Sequence, residues 1–430
     1  MDTIALTTTP AALASAPGAL PPHGGAPTAV EPRGGWLGDM ARAAGRGLVA
    51  LGRAFRSAFA SGAVARRVAG APIASPEAAD GAGPIAAERA PPPPTPARIR
   101  RVLARQGRGR RRINLALQGG GAHGAFTWGA LDRLLEEPDL DLVGISGASA
   151  GAVNAVVAAS GLARGGREGA REALAAFWGR VGAEAQRSPL SPTPLERALG
   201  LGELGLAARQ AWLGGVTQLA SPYDLAPAGR NPLADLLTES VDFERLRREP
   251  PVQLFVSATN VRSGKVRNFG PGEISLEVVL ASACLPQLFH AVEIDGEHYW
   301  DGGYAANPPV LPLVDATDCE DIVIVQVDPV RIRNLPTTAR AIRERVQVLA
   351  FNAGFMREMH EVASRQGVRL HVIEAEAAMA RLGSASKLDT NSAFLARLAA
   401  LGRRHAGIFL ARHKAAIGRR SSLDVAARYL

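Results

Sequence analysis

Three short stretches bring together residue types that can hydrolyse an acyl ester. At 147–151 the run Gly-Ala-Ser-Ala-Gly sets Ser149 among small residues, the GxSxG arrangement in which a serine on a sharp turn keeps its hydroxyl exposed. At 119–124 the run GGGAHG offers backbone N–H groups from Gly119, Gly120 and Gly121 that can receive negative charge developing on a carbonyl oxygen. At 301–303 the run DGG supplies Asp301 as a partner carboxylate. Gly124, Gly147, Gly151, Gly302 and Gly303 support these runs as small residues where backbone must come close. Each run alone is a weak signal. GxSxG arises by chance in an Ala/Gly-rich chain, where it makes a packing turn, and an aspartate at a hairpin end ordinarily satisfies turn amides.

Other chemistries fit less well. GGGAHG also matches GxGxxG, but a dinucleotide site wants an acidic residue at the end of the second strand, and here that strand ends in Ser146. The phosphate-cradling GxxxxGK[ST] run is absent. Ser149 needs a base, and none of the eight histidines has the setting after the acid that a Ser-Asp-His hydrolase requires. His123 lies in the glycine loop, and its plain reading is a loop residue facing solvent or capping a helix. Cys284 and Cys319 give neither a disulfide framework nor a metal-ligand cluster, and Cys284 reads as a small buried apolar residue.

The elements that must position these residues follow from hydrophobic patterning. INLALQ from Ile113 reads as a buried strand running into glycines, with a helix over about 124–137. LVGIS at 142–146 is the next strand and 150–160 the helix after it. Strand, glycine turn and helix, repeated, predict an α/β architecture with a mostly parallel sheet covered by helices. Further strands are expected at 252–260, at KVRNF after a turn at Ser263 and Gly264, at 321–327 and at 369–375. A hairpin about Asp295 and Gly296 leads into Asp301. Helices are expected at 274–284 and 339–364, and residues 165–250 read as mostly helical, a cap or lid broken at SPLSPTP and SPYDLAP. The uncharged run 142–163 is rich in Gly, Ala and Ser, a poor membrane span and a good buried strand-turn-helix.

Composition separates two regions. Residues 1–112 hold sixteen Arg against six Asp and Glu, whereas 113–430 hold thirty-three Lys and Arg against thirty-four Asp and Glu. The basic surplus therefore belongs to an extension and describes no catalytic surface. Within it, 1–35 and 69–99 are Ala/Pro/Gly-rich and predict disorder, and between them 36–60 has the spacing of a basic amphipathic helix. That helix suits either docking on the catalytic domain or a reversible membrane contact. The arginine run 98–112 lacks interleaved aromatics, so a nucleic-acid site is not expected. No secretory signal is read in the first residues, and the paucity of cysteine suits a reducing, cytoplasmic location with peripheral contact at the inner membrane face.

Taken together, GGGAHG, GASAG and DGG in this order, with SPYDL, LFVSATNV, ASACLPQLF and YWDGGYAANPP, resemble the patatin-like phospholipase family over about residues 113–375. The resemblance implies a three-layer α/β/α sandwich, with Ser149 as nucleophile, Asp301 as general base and the glycine loop as oxyanion hole, a Ser-Asp dyad without histidine. It implies hydrolysis of phospholipid or lysophospholipid esters with neither metal nor organic cofactor. His123 stands where plant members carry arginine, which puts any side-chain role in the oxyanion hole in question. The expected organisation is an extension at 1–112, a catalytic domain at 113–375 and a helical segment packed on it at 376–430. A soluble carboxylesterase or thioesterase with the same dyad, and a non-catalytic lipid-binding protein, are the alternatives.

Overall fold

The computed structural model describes residues 110–187, 220–225, 231–332 and 334–429. The helix expected at 36–60, the Ala/Pro/Gly-rich stretches, the arginine run as far as residue 109, the SPLSPTP break and the last two residues of SPYDLAP lie outside them.

Among the described residues eight strands form one sheet: β1 Arg111–Leu117, β2 Leu140–Gly147, β3 Gln253–Asn260, β4 Val266–Phe269, β5 Val292–Ile294, β6 Glu297–Asp301, β7 Asp321–Gln326 and β8 Arg369–Glu374. The spatial order is β5-β6-β3-β2-β1-β7-β8, with β4 also on β3. β3, β2, β1, β7 and β8 run parallel, and β4, β5 and β6 join antiparallel at one end. The sheet is thus mixed with a parallel centre.

Helices cover both faces, because side chains alternate along each buried strand. On one side Ile113, Leu115 and Leu117 of β1 and Val323 and Val325 of β7 pack under α1 (Gly124–Leu135) and α2 (Ala150–Arg187). Beside them lies α3 (Leu276–Ser282). On the other side Ala116, Ile322 and Ile324 pack beneath α4 (Leu311–Ala316) and α5 (Ala339–Ser364). The long α6 (Ser392–His413) returns to the first side, and α7 (Val425–Tyr429) to the second. The fold is a three-layer α/β/α sandwich.

The stretch Ala150–Arg187 is two helical runs that meet at Gly165 and Gly166, which leave helical geometry, Gly166 supplying the φ of 62° that turns the chain. α6 meets α1 at backbone distance, since a Cβ on Gly129 would fall 1.8 Å from Ala399 O and one on Gly402 1.9 Å from Phe126 O. Arg403 clamps the same contact on Asp132 and Glu136. Among the described residues, no helix is long and apolar enough to cross a membrane.

Candidate active site

Parallel pairing aligns the ends of the central strands. Leu117 lies beside Gly147 and Gly147 beside Val256, while Asp301 pairs with Ala258, two residues further along β3. Parallel β1 and β2 end, and antiparallel β6, arriving from the other direction, ends, at nearly the same level of the sheet, and the three sequence motifs meet there.

The turn after β2 presents Ser149. Its φ is +54°, one of two positive values outside glycine among the described residues, and such a conformation costs on the order of 1–3 kcal/mol. Small neighbours make the turn possible: a Cβ on Gly147 would lie 2.4 Å from the Gly151 carbonyl carbon, and one on Gly151 2.1 Å from Leu117 O. Ser149 N donates to Ser282 Oγ at 3.0 Å, at the end of α3, which fixes the turn from outside. Gly124 packs against Ala150 at the start of α2, where a side chain would collide with Ala150 Cβ at 2.8 Å. Being half-buried at the N-terminus of α2, Ser149 sits where developing negative charge is favoured.

Asp301 is fully buried at the end of β6. Its backbone is held on both sides, by Asp301 N donating to Cys284 O at 2.8 Å and Thr259 Oγ1 donating to Asp301 O at 2.8 Å. Oδ1 accepts Gly303 N–H at 2.8 Å. Oδ2 has no fully formed hydrogen bond among the described residues. Burial pushes the carboxyl up from 3.8 to about 6, opposed first by the neighbouring Ser149 hydroxyl and then by the Gly303 amide and the Lys387 charge. Oδ2 thus keeps the capacity to accept a proton. A Cβ on Gly302 would strike Ser257 O at 2.1 Å, and one on Gly303 the Phe351 ring at 2.5 Å, so both glycines are demanded by packing.

No described histidine hydrogen bonds to Ser149 or Asp301. His123 is buried rather than facing solvent, with Nε2 2.8 Å from Ser386 Oγ, and burial lowers it to about 4, so it is neutral at pH 7. His290 meets Pro222 O and stacks on Tyr223, and His371 lies between Asp321 and Ser422 at the opposite end of the strands. Cys284 is buried, its Sγ donating to His290 O at 3.0 Å, and burial pushes the thiol up to about 12.

The glycine loop comes nearest Ser149 at Gly119, where a Cβ would lie 2.6 Å from Ser149 Cβ. The N–H groups of the three glycines expected to serve the oxyanion differ in their present partners. Gly119 N donates to Asn307 Oδ1 at 2.7 Å, because Asn307 is turned into the loop by the chain that leaves DGG. Gly120 and Gly121 N–H have no acceptor among the described residues. Gly121 has φ +58°, and a Cβ there would meet Lys387 O at 2.4 Å.

Several residues that shape the site went unread in the sequence. Gln118 spans the loop base, donating to Asn307 O at 3.1 Å and Asn352 Oδ1 at 3.2 Å while Oε1 accepts from Val327 and Asp328 N–H at 2.7 and 2.8 Å. Lys387 pairs with buried Asp328 at 2.7 Å beside the glycine loop. Glu358 Oε2 accepts Val310 and Leu311 N–H at 2.5 and 3.2 Å, and burial raises it to about 7. Asn307, six residues after Asp301, reads with Pro308 and Pro309 as shaping the loop that adjoins the site. Lys387 and Glu358 carry no local signal, since only the fold brings them near.

Residues 115–314 match the family model described as patatin-like phospholipase. The domain they form belongs to the patatin-like phospholipase family. No curated protein sequence matches the chain. Among solved structures, the chain is similar to VipD from Legionella pneumophila at 16% identity, covering 71% of this chain and 67% of that one, with a TM-score of 0.37. It is also similar to the heterodimeric ExoU–SpcU complex from the type III secretion system of Pseudomonas aeruginosa, at 18% identity, 69% and 52% coverage and a TM-score of 0.28. The chain spans about two thirds of the first and about half of the second.

Proposed function

We propose that the patatin-like domain is a lipid acyl hydrolase of the phospholipase A or lysophospholipase type, working through Ser149 and Asp301. The observation that carries this reading is a fully buried carboxyl, free at Oδ2, beside a strained serine that no described histidine contacts. In the proposed cycle Ser149 Oγ attacks the acyl carbonyl and its proton passes to Asp301 Oδ2. The carbonyl oxygen takes the negative charge and accepts from Gly120 and Gly121 N–H. Collapse of the tetrahedral species breaks the ester C–O bond, and the departing alkoxide takes the proton from Asp301. Water then attacks the acyl-enzyme by the same route, releasing fatty acid and restoring Ser149.

The raised pKa supports this role. A carboxylate of ordinary acidity is a weak acceptor for a hydroxyl proton, whereas one at about 6 is stronger and still about nine-tenths ionised at pH 7. Two amide donors would add on the order of 3 kcal/mol each to transition-state stabilisation. The basic extension adds attraction to an anionic membrane surface, and we place the protein in the cytoplasm in reversible contact with that surface. The test is fatty acid release from phospholipid vesicles by the wild type and by Ser149→Ala. Loss of release in a variant with an unchanged thermal midpoint is expected. Equal release by both would overturn the assignment, and release of short soluble esters alone would favour the carboxylesterase alternative.

A further inference from the structure

The N-terminal half of α5 carries an apolar stripe that no described element covers. Ile342, Val346 and Leu349, spaced four and three residues apart, are 45%, 60% and 51% exposed, and Leu335, just before the helix, is 83% exposed. In the C-terminal half of the same helix the pattern turns inward, and Phe355, Met359 and Val362 are buried in the core. The change of environment falls at Phe351. Its ring lies against Gly303 of the DGG motif and packs on Tyr304 with centroids 4.6 Å apart. The exposed stripe is therefore continuous along one helix with the residues that hold Asp301.

Large aliphatic side chains clustered on a folded surface are unfavourable in water and mark a face that something covers. The local charge argues for what that is. Residues 331–350 contain five arginines and one glutamate, and Arg331 and Arg343 are exposed. A helix with an aliphatic stripe flanked by arginine is complementary to an anionic lipid surface: the stripe enters the acyl boundary while the guanidinium groups meet phosphates. We propose that Leu335, Ile342, Val346 and Leu349 form the interfacial docking face of the domain, which seats on an anionic phospholipid surface and brings Ser149 to its ester bonds. This deepens the lipid hydrolase reading and rests on it for the purpose of docking, though not for the contact itself.

The test uses full-length protein carrying Ser149→Ala, so that no products accumulate, and vesicles of phosphatidylcholine with phosphatidylglycerol. Binding is measured by flotation at raised salt, where attraction through the basic extension is screened. Adding Val346→Ser and Leu349→Ser is expected to weaken partitioning about thirtyfold or more, from the apolar burial lost at two side chains, while the thermal midpoint stays constant. In the active protein the same pair is expected to slow vesicle hydrolysis and leave hydrolysis of a soluble short-chain ester unchanged. Unaltered partitioning would overturn the proposal. So would a lowered thermal midpoint with unaltered partitioning, the mark of a stripe covered by another segment of this chain, or loss of a wild-type dimer with unaltered partitioning, the mark of a second copy. If vesicle binding needs the stripe but no Ser149-dependent hydrolysis occurs, the docking face stands and the activity reading alone fails.

Discussion

Replacing Asp301 by Asn separates the chemical role of this residue from its structural one. The amide is nearly the same shape, and its oxygen can still accept Gly303 N–H, but it cannot take a proton from Ser149. Holding the carboxyl at about 6 instead of 3.8 costs its charged form about 3 kcal/mol in the folded state. Because the folded value lies above the unfolded one, this contribution to stability is complete below about 3.8 and lost as pH rises through about 6. At pH 8 the wild type bears the whole penalty and Asp301→Asn bears none. The variant is expected to melt roughly 6 °C higher at pH 8, at about 2 °C per kcal/mol for a domain of this size, and level with the wild type near pH 3.5. Its labelling by a fluorophosphonate is expected to slow 10²- to 10⁴-fold, the range for loss of a general base. In the wild type, labelling should rise with pH through about 6 and then level off. Melting curves and labelling rates from pH 3.5 to 8 supply both readouts. A variant that labels at the wild-type rate, or that gains no stability at high pH, would contradict the buried-base interpretation.

Other residues give further outcomes. Asn307→Ala removes the acceptor that orients Gly119, and kcat for a soluble ester is expected to fall roughly tenfold while the melting temperature drops by only a few degrees. Gly121→Ala forces a Cβ against Lys387 O at a positive φ, and a loss of activity larger than that of Asn307→Ala is expected from steady-state kinetics. Glu358→Gln keeps an acceptor for the Val310 and Leu311 amides without the charge. Glu358 is raised from 4.5 to about 7, so the wild type loses this contribution as pH rises through about 7. Denaturant unfolding should show the Gln variant more stable than the wild type at pH 8 and closer to it at pH 5.

Much of this fold was legible because its strands are short apolar runs ending at glycines. INLALQ and LVGIS became β1 and β2, and Asp295 with Gly296 made the hairpin turn, both with positive φ as a tight two-residue turn needs. The 339–364 helix was found from its periodicity, yet that pattern did not show that its first half would stand exposed and its second half buried. The three motifs were readable since each requires particular small residues next to its functional atom. Their supporting contacts were not. Ser282 reaches Ser149 N across 133 positions and Lys387 reaches the glycine loop from a segment beyond the last strand, and such pairings follow from topology alone. The hydrogen bond from Gly119 N to Asn307 Oδ1 has the same origin, joining two segments 188 positions apart.

The most direct test of the proposed chemistry is to label the protein with a fluorophosphonate and locate the adduct by peptide mass spectrometry. The adduct should sit on Ser149 within the Gly147–Gly151 turn, form in the wild type, and be nearly absent on the same time scale in Asp301→Asn. An adduct on any other residue, or one that forms equally fast without the Asp301 carboxylate, would contradict a Ser-Asp dyad at this site.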